Sequence, residues 1–108
     1  MVTRKYPRFS VSLSSTLVYK DHFRHTGSVL NLSAKGCAVT SIISPFTGMQ
    51  LTVELHVPGE SNPIEINNAA VRWAGSAGIG LEFLTVAPLH QNRLDRMIQR
   101  LHPKTDPQ

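Results

Sequence analysis

The chain has 108 residues, enough for one domain with a single buried core and too few for two. Apolar residues make up 41% and charged residues 17%, which excludes a disordered tail and a long charged coiled coil. Eleven Lys and Arg against seven Asp and Glu give a net charge of +4, a surplus that favours an anionic partner.

The start, MVTRKYPRFSVSLSSTLVY, is basic and then mildly apolar, but serines break it too often for a secretory leader. No later run approaches the roughly 18 apolar residues of a membrane span, so membrane insertion is not expected. From Val11 to Tyr19 the odd positions read Val11, Leu13, Ser15, Leu17 and Tyr19, with Ser12, Ser14 and Thr16 between, the period of a strand with one buried face. Strands are expected next over Gly27–Leu32 and Gly36–Ile43, joined by the polar turn Ser33-Ala34-Lys35. Cys37 is the single cysteine. It excludes an internal disulfide, suits a reducing, cytoplasmic compartment, and reads as a small buried hydrophobe rather than a nucleophile. Gln50–Val57 alternates cleanly. Ile64–Ala74 changes phase, with Ile64 and Ile66 even but Ala69, Val71 and Trp73 odd, so a bulge is expected at Asn67-Asn68. Gly78–Leu84 puts Ile79, Leu81 and Phe83 on one face. Six short strands separated by turn signals predict a small antiparallel barrel or sandwich. Beyond Pro88, Leu94, Met97, Ile98 and Leu101 fall at helical spacing, and Pro103 ends that helix. The predicted division is one domain over 1–108, with a flexible arm at 1–10, a barrel at 11–84 and a helix at 88–102.

Catalytic and metal chemistry find little support. His22 and His25 sit three apart in a predicted turn, and no cysteine or carboxylate completes a ligand set, so a solvated loop is preferred to a metal site. The carboxylates are scattered, and no phosphate-loop, nucleophile-elbow or zinc-protease motif occurs. Gly75-Ser-Ala-Gly-Ile-Gly80 lacks the lysine of a phosphate loop and leads into a strand, so it reads as a turn. The expectation is no enzyme, no cofactor and no metal.

Two segments carry binding chemistry. In Arg4-Lys-Tyr-Pro-Arg8, Pro7 disfavours helix, leaving two guanidiniums and the Lys5 ammonium on an irregular chain. Arginine can donate twice into a guanine edge or stack on a base, although a solvated basic terminus has the same composition. In Asn31-Leu-Ser-Ala-Lys-Gly36, the Asn amide, the Ser hydroxyl, Lys35 and the turn amides suit a base edge and phosphate oxygens. The same residues equally suit a turn that satisfies only its own backbone. On the helix, Arg93, Arg96 and Arg100 share one flank, read as a solubilising face in preference to a docking stripe.

Arg-x-x-x-Arg ahead of the first strand, followed some 23 residues later by Asn-x-Ser-x-x-Gly, resembles the PilZ domain family. Val71-Arg-Trp-Ala-Gly-Ser-Ala-Gly-Ile-Gly-Leu-Glu-Phe-Leu84 looks like the final strand pair of that family. The resemblance runs from Arg4 to the closing helix. It implies a six-stranded antiparallel β-barrel with a C-terminal helix that binds the bacterial second messenger bis-(3′-5′)-cyclic dimeric GMP (cyclic di-GMP). It further implies that Arg4 and Arg8 grip guanines and phosphate from the arm, with Asn31, Ser33 and Gly36 on the barrel side. Asn31 stands where the family often has Asp, a neutral acceptor for a charged one, which implies weaker binding. Lys5, Lys35 and Trp73 join them as further candidate contacts, although Trp73 continues the odd phase of Val71 and core packing is the preferred role. Binding is expected to order the arm and present a new surface to a separate downstream protein, making the chain a free-standing adaptor in motility, surface attachment or exopolysaccharide output. The rival readings are a nucleic-acid-binding barrel, disfavoured because aromatics are only 6% and do not cluster, and a barrel interaction module that does not bind the nucleotide.

Overall fold

The computed structural model describes residues 6–20, 23–40 and 45–101. Arg4, Lys5, His22 and the segment 102–108 lie outside the described residues, so the expectations placed on them stand outside it too.

Six strands and one helix follow in order: β1 Phe9–Tyr19, β2 Phe23–Leu32, β3 Gly36–Val39, β4 Gln50–His56, β5 Ile64–Gly75, β6 Gly78–Thr85 and α1 Pro88–Leu101. The strands close into an antiparallel barrel in the order β1-β2-β3-β6-β5-β4, with β4 returning to β1. Each strand is thereby paired on both sides over at least part of its length, which leaves little edge to template aggregation. The alternating residues read from the sequence fill the interior: Leu51, Val53 and Leu55 of β4, Ile64 and Ile66 of β5, and Ile79 and Leu81 of β6 are all buried. Leu94, Met97 and Ile98 of α1 complete the same cluster, and the helix rests against β5. Its apolar stripe is thereby covered, which a helix of this length needs for stability.

Several boundaries move. β1 starts at Phe9, because Phe9 pairs with Leu32 and Ser10 with Asn31; those two residues belong to the barrel and not to the arm. β2 starts at Phe23, four residues earlier than its polar beginning suggests, since Tyr19 pairs with Phe23 and Leu17 with His25. His25 is therefore a strand residue rather than part of a turn. β3 stops at Val39, where Thr40 turns its hydroxyl to accept from the Ser28 amide at 2.8 Å; residues 41–44 are not described.

The expected bulge is present. Leu51 pairs with Ala69 and Val53 with Ile66, so two residues, Asn67 and Asn68, oppose the single Thr52. A second irregularity was not anticipated. Val71 pairs with Leu81 and Trp73 with Gly80, leaving Arg72 as an extra residue with no counterpart on β6. The alternation resets there and carries Trp73 out of the core, where it is 49% exposed. Core packing is thus the wrong role for Trp73.

The helix flank also differs from expectation. Arg93 donates to the Pro63 carbonyl at 2.9 Å, to the Asn62 carbonyl, and to Glu60 Oε1 at 2.8 Å. It ties the helix to the β4–β5 turn instead of lying solvated. Arg100 approaches the other Glu60 oxygen at 3.7 Å, and Arg96 is exposed.

Candidate functional site

The site is set by where β1 begins. The Phe9–Leu32 and Ser10–Asn31 pairs bring the residue just before them, Arg8, alongside the β2–β3 turn. Arg8 Nη1 donates to Asn31 Oδ1 at 2.8 Å, joining residues 23 apart in sequence. A guanidinium carries five N–H groups in a fixed fork, so this bond orients the group and leaves donors for a ligand.

The turn is built for closeness. The Ser33 amide donates to the Gly36 carbonyl at 2.8 Å, and the Ser33 hydroxyl donates to the same carbonyl at 3.3 Å. The Lys35 amide in turn donates to Ser33 Oγ at 3.2 Å. Ser33 is almost fully buried. Its hydroxyl therefore satisfies its own turn, which is the structural reading of the Asn-x-Ser-x-x-Gly pattern, and it retains one further acceptor position. The Lys35 carbonyl accepts from the Phe83 amide at 2.8 Å, fastening the turn to β6. Gly36 is required by space. A Cβ there would overlap the Leu81 carbonyl oxygen and stand 3.3 Å from Arg8 Nη2. The missing side chain is demanded by the Leu81 carbonyl, and it also leaves the Arg8 guanidinium close room beside the strand.

Beside this wall opens a cleft of about 400 Å³ over the backbone of Gly80–Glu82, and it is lined by Tyr6, Arg8, Ser33 and Lys35 on one side and by Arg72, Trp73 and Glu82 on the other. The volume falls within the range of ordinary small-molecule sites. Lys35 Nζ stands 5.6 Å from the centroid of the Tyr6 ring, a cation–π distance. Across the cleft the Trp73 indole lies against Gly80, covering the place a side chain would occupy. Arg72 Nε donates to Glu82 Oε1. Three cations and two aromatic faces thus surround a shallow floor made largely of backbone.

Of the residues singled out from sequence, Arg8, Asn31, Ser33, Gly36 and Lys35 are brought together, and Trp73 joins them from the opposite wall. Arg4 and Lys5 fall outside the described residues. Tyr6, Gly80, Arg72 and Glu82 were not anticipated. Tyr6 and Trp73 also correct the view that the aromatics are scattered, because the fold places both at one cleft. Cys37 lies under the site in the core. Burial pushes its thiol up to about 12, with Arg8 pulling weakly the other way, so it is no nucleophile. Among the described residues no group of three or more potential metal ligands occurs, and no helix is long and apolar enough to cross a membrane.

Comparison with curated proteins returns no match. Among solved structures, the inhibitor of motility MotI/DgrA of Bacillus subtilis is 25% identical with a TM-score of 0.69, the alignment covering 93% of this chain and 52% of that one. The PilZ domain of YcgR from Escherichia coli, solved with c-di-GMP, is 18% identical with a TM-score of 0.69, covering 91% and 90% of the two chains. YcgR of Escherichia coli in complex with c-di-GMP aligns at 20% identity with a TM-score of 0.71, over 91% of this chain and 45% of that one. The chain spans about half the length of the Bacillus protein. A family model described as the PilZ domain matches residues 3–100. With this match over most of the chain, the closed six-stranded barrel, and Arg8 meeting the Asn31–Gly36 turn beside one cleft, this chain belongs to the PilZ domain family.

Proposed function

We propose that this chain is a receptor for cyclic di-GMP and that the nucleotide binds in the cleft between the Arg8 arm and Trp73. The observation that carries the reading is the Arg8–Asn31 bond at 2.8 Å, which sets a forked donor over the side-chain-free surface of Gly36 at the mouth of a cationic cleft. Cyclic di-GMP is a dianion bearing two guanines. Each guanine offers O6 and N7 as paired acceptors on one edge, the geometry a guanidinium matches. Asn31 acts by aiming Arg8 rather than by touching a base. Lys35 and the turn of Ser33 face the phosphates, and Trp73 and Tyr6 supply ring faces for stacking, at about 1–3 kcal/mol per base. Arg4 and Lys5 add charge and donors from the arm. The solved YcgR complexes with c-di-GMP support the assignment by fold.

The output we infer is ordering of the arm. Fixing each backbone residue costs about 1–2 kcal/mol, while a micromolar ligand yields about 8 kcal/mol net. The ordered arm and bound nucleotide together offer a surface to a downstream protein.

Isothermal titration of the purified protein with cyclic di-GMP tests the assignment. Saturable heat with micromolar or tighter affinity is expected, and no heat at saturating nucleotide overturns it. Two aromatic faces beside cations also suit single-stranded nucleic acid, so the titration is repeated in excess oligonucleotide. The oligonucleotide should fail to displace the cyclic dinucleotide. Displacement would favour a nucleic-acid-binding barrel.

A further inference from the structure

The cleft contains one group that its charge does not explain. Arg8, Lys35 and Arg72 suit an anion, yet Glu82 stands among them. Its register partners on the neighbouring strands are Gly36 on β3 and Ala70 on β5, so on the outer face it rises between a residue with no side chain and one with a methyl group. Its tether is Arg72, which donates to Oε1. Its side chain remains 49% exposed. Arg8, whose Nη2 reaches over Gly36, flanks the same patch from the other side.

A carboxylate facing a dianionic ligand is repulsive unless it meets donors. A purine edge supplies them in only one of the two common cases. The Watson–Crick edge of guanine presents N1–H and the exocyclic 2-amino group side by side, two donors that a carboxylate accepts with its two oxygens. Adenine presents an acceptor at N1 beside its 6-amino donor and would set a lone pair against the carboxylate. Arg72 offsets the negative charge and fixes the direction of Glu82, so the acceptor is held ready at the cleft. We infer that Glu82 is a specificity-determining residue that reads the Watson–Crick edge of one guanine, while the guanidinium of Arg8 serves the opposite, Hoogsteen edge. Arg72 is its positioning residue. The inference rests on the cyclic di-GMP reading and adds to it the means by which guanine is chosen over adenine.

The test pairs a change in the protein with a change in the ligand. Wild-type protein, Glu82→Gln and Glu82→Ala are titrated with cyclic di-GMP, with cyclic di-AMP, and with cyclic di-IMP, which lacks only the 2-amino groups. Thermal unfolding of each variant confirms folding, which an exposed side chain on the barrel's outer face should leave intact. For the wild type, removing the amino groups should weaken binding about tenfold, and cyclic di-AMP should bind at least a hundredfold more weakly than cyclic di-GMP. In Glu82→Ala the penalty for losing the amino groups should vanish, and in Glu82→Gln the preference for guanine over adenine should fall at least tenfold. An amino-group penalty that persists unchanged in Glu82→Ala overturns the inference while leaving the receptor assignment standing. Equal weakening of all three ligands by both variants also overturns it, since that is the mark of a group that only holds Arg72. Wild-type protein that binds none of the three overturns the receptor assignment and this inference with it.

Discussion

Replacing Arg8 by alanine should separate binding from folding. The side chain is exposed, and its bond to Asn31 lies at the surface. Substitutions of that kind usually change stability by no more than about 0.5 kcal/mol, or roughly 2–4 °C in the midpoint of thermal unfolding for a domain near this size. The effect on the ligand is much larger. With Nη1 committed to Asn31, the guanidinium still has donors for a guanine edge or a phosphate, and each charge-assisted bond contributes about 1.5–3 kcal/mol. Two such bonds at the low end of that range, as befits a cleft open to water, come to about 3 kcal/mol, or about 150-fold in affinity. Calorimetry with cyclic di-GMP and a thermal melt on the same preparation measure both quantities. Arg8→Lys should recover only part of the loss, because an ammonium keeps the charge without the fork. Affinity unchanged in Arg8→Ala would refute the placement of the ligand. A stability loss of several kcal/mol would show that the arm serves the barrel instead.

Other consequences are equally open to measurement. Gly36→Ala drives a methyl group into the Leu81 carbonyl oxygen, so the β3–β6 pairing must shift; a loss of about 1–3 kcal/mol is expected on melting, with nucleotide binding lost as Arg8 is displaced, and an unchanged melting temperature would contradict the packing described. Cys37, fully buried with its thiol raised to about 12, should resist alkylation at pH 8 until denaturant is added; rapid labelling of the native protein would show that the core opens beneath the site. The Glu60 carboxyl is held below its ordinary value of 4.5, first by the hydrogen bond from Arg93, which outweighs the opposing desolvation, and then by the charges of Arg93 and Arg100. A lowered carboxyl contributes stability that is present above its unfolded value and lost as pH falls through the folded one. Urea titrations should therefore show the wild type losing more stability than Arg93→Ala between pH 5 and pH 3, and identical pH profiles would remove Glu60 from the tie between helix and turn.

How much of this the sequence could reveal depends on which rule was applied at each place. The barrel was legible because its strands alternate: Leu51, Val53 and Leu55 face one way on β4, and every one is buried. The Asn67-Asn68 bulge was legible for the same reason, since Ile64 and Ile66 cannot share a face with Ala69 and Val71 unless an extra residue intervenes. The near wall of the candidate cleft was legible as motif, and Ser33 shows the limit of reading a motif as ligand contacts. Its hydroxyl and amide both close on Gly36, so part of what looks like a phosphate loop is the means of folding that loop.

The far half was missed although its signal was present, because two rules disagreed and only one was followed. Alternation along β5 carries Val71 inward and, two residues on, Trp73 inward as well. The hairpin speaks otherwise. A two-residue turn at Ser76-Ala77 pairs Gly75 with Gly78 and, stepping back, Trp73 with Gly80. Cross-strand partners share a face. Ile79 and Leu81 point into the core, so the position of Gly80 between them points out, and Trp73 must point out with it. Val71 inside and Trp73 outside are both correct only if one residue between them has no partner, and that residue is Arg72. The bulge thus follows from the contradiction, and with it the rest of the wall. In an unbulged hairpin Arg72 would face Leu81 and lie on the opposite side of the sheet from Glu82; as the extra residue it reaches Glu82 on the outside. Straightening β5 is consequently the sharpest perturbation of this half of the cleft. Deleting Arg72 should restore continuous pairing and leave the barrel folded, while it removes the tether of Glu82. Guanine selectivity should fall, and binding through Arg8 should survive in part.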